Sequence, residues 1–238
     1  MDVHSIQIWG DSVLKGVFFD EARSRYAIVR DNAVRLLGQA LKLPIINRCA
    51  MGRTAPEGLS ELEKEETPLD GALVLIEYGG NDCDMDWAAV SENPQVEHLP
   101  KTLPEQFEKA LRAMAELVRS RGGLPVISTL PPLHAQRYFD WVSRGLSRDN
   151  ILRFLGGASS RIYRWQELYS DIALRAAAEI GCACLSLREY FLENLVDQDI
   201  YSLDGIHLNE QGQRMMAEAA LRAIKRQLPQ LLPAAETC

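Results

Sequence analysis

Five short runs rich in Val, Ile and Leu recur along the chain: Ser5 to Trp9, Leu43 to Asn47, Ala72 to Glu77, Leu124 to Thr129 and Cys182 to Ser186. They read as strands buried on both faces, as parallel strands are. Between them lie segments with helical spacing of apolar residues, Asn32 to Leu41, Glu57 to Glu65, Pro104 to Arg121 and Arg161 to Ile180, with a last one from Glu210 to Gln227. Asn209 is a good cap for the last helix, and Pro104 stands where a proline at the first helical position belongs. Strands alternating with helices imply right-handed crossovers, hence an α/β fold of three layers with a parallel sheet covered on both faces. The 238 residues suffice for one such unit, and no repeat, low-complexity tract or linker divides them, so residues 1–238 are read as a single domain.

Two segments exceed this minimal pattern. Gly16 to Val29 has two β-prone stretches around a charged turn and predicts a small hairpin beside the first strand, shaping one wall of a cleft. Residues 131–160 follow the fourth strand, and a connection of that length is usually a functional lid or wall. It carries Tyr138, Phe139 and Trp141, which either line an acyl or sugar pocket or seal the insertion against the body. Residues 137–164 hold a local charge of +4, which either attracts an anionic group or, the blander reading, belongs to solvated helix faces.

Several function classes are excluded. A formal charge of −7 repels a phosphate backbone, so nucleic acid is not an expected partner. No run of apolar residues is long enough to span a bilayer, and Met1 to Gly10 lacks the basic and apolar regions of a secretion signal, so the expected location is the cytoplasm, without membrane insertion. The five cysteines include no CxxC pair and read as reduced thiols, Cys182 and Cys184 as core. Asp82, Asp84 and Asp86 imitate the start of a calcium loop, but Trp87 and Asn93 stand where glycine and glutamate are required; a solvated acidic loop on the cleft rim is expected instead. No metal and no cofactor are expected: GxxxxGK[ST] and GxGxxG are absent, as is the GxSxG elbow of the α/β-hydrolases. The association state is not legible.

Polar clusters follow the strands: Gly10, Asp11 and Ser12 after the first; Gly52, Arg53 and Thr54 after the second; Gly79, Gly80, Asn81 and Asp82 after the third. Asp204, Gly205, Ile206 and His207 lead into the last helix. In an open parallel sheet all carboxyl ends share one edge, where ligands bind, so the four clusters converge. Ser12 supplies a hydroxyl that needs a base, and His207 is the one histidine with a carboxylate, Asp204, three residues before it. The Ser12 and Gly52 backbone N–H groups and the Asn81 amide are candidate donors to an oxyanion. Asp11 is read as a structural acceptor and stays outside the catalytic set.

GDS at Gly10 to Ser12, Gly52 followed by Thr54, GGND at Gly79 to Asp82 and DGIH at Asp204 to His207 resemble, in order, the four blocks of the SGNH (GDSL-type) hydrolase family. The resemblance implies a flavodoxin-like sheet of order 2-1-3-4-5. It implies Ser12 as nucleophile, His207 as base, Asp204 as its orienting partner, and Ser12, Gly52 and Asn81 as oxyanion hole. The implied activity is a serine esterase acting on small-molecule esters through an acyl-enzyme. The polar, glycine-rich cleft favours short acyl groups, such as acetyl on carbohydrate or small alcohols; a lysophospholipase or thioesterase on the same triad, or a non-catalytic binding module, are the alternatives. The sequence departs from the family in Val13, where leucine is usual, and in the long insertion, so substrate preference is not carried over.

Overall fold

The structure, a computed structural model, describes residues 3–194 and 198–233. Five parallel strands form the central sheet: β1 (Ser5–Gly10), β4 (Ile45–Asn47), β5 (Ala72–Glu77), β6 (Leu124–Ser128) and β7 (Ala183–Leu185), in the order β4-β1-β5-β6-β7. Counting only these, the order is 2-1-3-4-5, as the resemblance implies. The separate β2 (Val17–Asp20) and β3 (Arg25–Ile28) form the expected antiparallel hairpin. The two edge strands are shorter than the apolar runs. Pro44 has no N–H to give the ladder, so β4 starts after it, although its carbonyl still accepts from Ile6 at 2.9 Å.

The sheet's two-residue period sorts its side chains into two cores. Ile6, Ile8, Leu73, Leu75 and Leu185 face α2 (Ala33–Leu41), α9 (Leu187–Glu193) and α10 (Glu210–Gln227). Trp9, Val74, Ile76 and Ile127 face α3 (Ala55–Lys64), α5 (Pro104–Ser120) and α8 (Ser160–Glu179). Cys184 is buried in this second core with Cys182 packed against it; Cys238 lies outside the described residues. Asn209 caps α10 by accepting from the Gly212 N–H at 3.0 Å. α3 begins earlier than its apolar pattern suggests, because Thr54 and Glu57 form a reciprocal capping box, the glutamate accepting from the Thr54 N–H at 2.8 Å.

The insertion is helical. α6 (Ala135–Val142) and α7 (Arg148–Phe154) gather with α4 (Trp87–Glu92), from the loop after β5, around a small third core of Val90, Leu133, Phe139, Ile151, Leu155 and Ile162. That core ties the insertion together as a helical cap beside the carboxyl ends of β5 and β6. No helix among the described residues is long and apolar enough to cross a membrane.

Candidate active site

Ser12 opens the one-turn helix α1 (Ser12–Lys15), whose cap is Asp11, accepting from the Val13 N–H at 2.8 Å. This short turn holds the hydroxyl at the carboxyl end of β1. Opposite it, the segment before α10 turns sharply at Gly205, with φ +75°; a Cβ there would come within 2.7 Å of the Tyr138 nitrogen, so only glycine lets the turn press against α6. Asp204 and His207 lie on this turn. The His207 Nε2 is 2.8 Å from the Ser12 Oγ, and its Nδ1 is 2.6 Å from the Asp204 Oδ2. With its proton on Nδ1, the imidazole donates to Asp204 and presents Nε2 as acceptor for the serine hydroxyl.

The second oxygen of Asp204 is equally committed. Oδ1 accepts from the Ser202 hydroxyl at 3.0 Å and from the backbone N–H groups of Ile206 and His207 at 3.1 and 3.0 Å. Burial acts to raise the carboxyl's pKa, but the bonds from His207, its charge and these N–H groups outweigh burial and hold it below the usual range. The arrangement keeps Asp204 ionised and aimed, and can accept a proton from Ser12 at Nε2.

Asn81 is reached from β5. Its Nδ2 donates to the Asp11 Oδ2 at 3.1 Å and to the Arg53 carbonyl at 3.3 Å, which ties it to the loop carrying Gly52. Gly52 has φ +76° with open space where a Cβ would project. Beneath these residues lies a stack of carboxyls. Burial pushes Asp11 up; burial, then the charges of Asp11 and Asp82, push Glu77 well up; burial pushes Asp82 up to about 6. The expectation of a solvated acidic loop holds for Asp86, which is exposed, but not for Asp82 or Asp84. Asp82 is fully buried and accepts from the Ala55 N–H at 2.9 Å, at the start of α3. Asp84 accepts from the Tyr138 hydroxyl at 2.5 Å, the Trp87 indole at 2.9 Å and Lys101 at 2.9 Å. Among the described residues no His, Cys, Asp and Glu cluster could hold a metal ion.

A cavity of about 410 Å³ opens beside Ser12 and Asn81. Its walls include Leu130 just after β6, Pro131, Leu133 and Leu155 from the cap, and Ile162 and Trp165 from α8. They are apolar, where the glycine-rich loops alone suggest a polar cleft. Of the three aromatics singled out in the insertion, Tyr138 lines this cavity, whereas Phe139 is buried in the third core. Trp141 lies elsewhere, edge-on to Phe19 of the hairpin with centroids 4.7 Å apart. The hairpin also delivers Tyr26, a residue the sequence pattern does not single out, whose ring is edge-on to His207 at 5.2 Å. Burial, then the charge of Asp204, push the Tyr26 phenol well above its usual range. Its signal in the sequence is an aromatic alternating along β3, not enough by itself to foresee contact with a histidine 181 positions away.

The chain is similar in sequence and in fold to known proteins. The esterase TesA of Pseudomonas aeruginosa is 28% identical over 145 residues, which cover 59% of this chain and 62% of that protein. Two solved structures share the fold at low identity. The lipase/acylhydrolase from Enterococcus faecalis has a TM-score of 0.61 at 20% identity, covering 96% of this chain and 98% of its own. LAE5, an alpha/beta hydrolase enzyme from the metagenome of Lake Arreo, Spain, has a TM-score of 0.66 at 19% identity, covering 94% and 96%. The model of the GDSL-like lipase/acylhydrolase family matches residues 8–215, a span that takes in both Ser12 and His207. The chain belongs to that family.

Proposed function

We propose that this protein is a serine ester hydrolase in which Ser12, His207 and Asp204 form the catalytic triad and Ser12, Gly52 and Asn81 the oxyanion hole. The observation that carries this reading is the unbroken relay from the Ser12 Oγ to His207 at 2.8 Å and on to Asp204 at 2.6 Å. His207 takes the serine proton as Oγ attacks the acyl carbon. The carbonyl oxygen, now negative, accepts from the two backbone N–H groups and the Asn81 amide, and the imidazolium then gives its proton to the departing oxygen. A water activated by the same imidazole releases the acid. A non-catalytic binding module has no use for this trio. The reaction is assigned to one domain spanning residues 1–238, with 131–160 as a wall of the site.

The glycine-rich loops favour short esters, acetyl on carbohydrate or small alcohols among them. The apolar cavity of about 410 Å³ favours a longer acyl chain, and a lysophospholipid or thioester with such a chain is the second reading on the same residues. Hydrolysis of 4-nitrophenyl esters of increasing chain length tests both. The cavity predicts an optimum at medium length, and a rate falling steadily from acetate would assign the acyl group to the short class. Loss of all turnover in Ser12→Ala is expected in either case; retained turnover would refute the assignment of the nucleophile.

A further inference from the structure

Four charged side chains line the cavity, Asp11, Glu77, Asp84 and Arg161, and only one of them is both unpartnered and open to solvent. Asp11 is taken up by the Val13 N–H and Asn81, and Asp84 by Tyr138, Trp87 and Lys101. Glu77 is sealed beneath the floor, 1% exposed. Arg161 is different. It stands at the start of α8, and among the described residues no carboxylate pairs with it and no acceptor takes a hydrogen bond from its guanidinium. The group is nevertheless seated, lying so close to the turn at Gly156 that a Cβ there would be 3.0 Å from its Cζ. A cation in the first turn of a helix also opposes the helix dipole, a cost with no compensating acid in that turn. The cavity thus offers an apolar passage with the serine at one place on its wall and one unneutralised positive charge at another.

We propose that the cavity takes an acyl chain ending in a carboxylate, with the ester carbonyl at Ser12 and the terminal carboxylate on Arg161. The substrate class is a monoester of a medium-length dicarboxylic acid. This rests on the esterase reading. Hydrolysis breaks the bond between the acyl carbon and the alcohol oxygen, which leaves with a proton from His207. Water supplies the new oxygen on the acyl carbon, and the distal carboxylate is unchanged. A planar guanidinium suits a carboxylate because two parallel N–H groups can meet its two oxygens.

The experiment compares monoethyl esters of the dicarboxylic acids from succinate to sebacate with ethyl alkanoates of equal carbon count. At the chain length that spans Ser12 to Arg161, the wild-type protein should favour the diacid monoester in kcat/KM by at least about tenfold, the scale of one charge-assisted contact. Arg161→Met should bring that ratio to about one or below, and Arg161→Lys, which keeps the charge but not the fork, should retain part of it. Hydrolysis of the alkanoates without a diacid preference at any length, or a preference that survives in Arg161→Met, overturns the inference and leaves the esterase reading standing. Hydrolysis of neither series overturns both.

Discussion

Asn81 has two amide hydrogens, and the free protein commits them to the Asp11 carboxyl and the Arg53 carbonyl. To serve a developing oxyanion it must release or share one of them, so Asp11 sets where the amide waits. If Asn81 supplies one of three donors, Asn81→Ala should lose about 10² to 10³ in kcat, with a smaller change in KM, because the bond strengthens only as charge develops. Steady-state kinetics on one activated ester checks this, and an unchanged kcat would remove Asn81 from the oxyanion hole. The residues that could carry acyl-transfer chemistry were legible because each follows a strand or leads into the last helix. Tyr26 was not, since its contact with His207 depends on how the hairpin folds back. Arg161 was legible only as part of a basic stretch, and its missing partner is a property of the packed cap.

The elements are held in register by buried polar ties that no periodicity announces. Gln213 on α10 is fully buried; its carbonyl accepts from the Ala33 N–H at 2.9 Å, and its amide donates to the Val13 carbonyl at 3.1 Å. It joins the last helix to the turn that carries Ser12. Gln213→Ala should cost about 1–3 kcal/mol, because it orphans the buried Ala33 N–H and leaves a void, while the Val13 carbonyl keeps the Gly16 N–H at 3.1 Å. Urea unfolding measures this, and a loss within a few tenths of a kcal/mol would mean that water replaces the side chain without penalty. The alternation of strands and helices was readable because burial on both faces demands apolar runs. The helices of the cap were not, since α4, α6 and α7 are short and amphipathic toward a core that exists only when all three meet. Asp82 departs from the expected solvated loop for a related reason, being drawn inward by the donor at the start of α3, whereas Asp86 stays exposed.

At the scale of the whole molecule, the carboxyls stacked below the site couple stability to pH. Asp82 has its folded pKa raised to about 6 by burial. Its stabilising share is therefore complete below the unfolded value of about 3.9 and is lost as pH rises through the folded value. Asp204, lowered by its partners, acts in the opposite sense, its share being lost as pH falls. Asp82→Asn keeps an acceptor for the Ala55 N–H and removes the buried charge, so it should gain stability, relative to wild type, on the order of 1–2 kcal/mol between about pH 5 and about pH 8. Equal effects of the substitution at both pH values, read from urea unfolding, would show that Asp82 does not titrate in this window. The fold matters to function chiefly because it brings together residues 195 positions apart. The direct test is mass-spectrometric mapping of the adduct formed by a fluorophosphonate on the intact protein. One adduct is expected, on Ser12, lost in Ser12→Ala and much slower to form in His207→Ala; a folded protein that takes up no label, or takes it on another residue, would contradict the proposed triad.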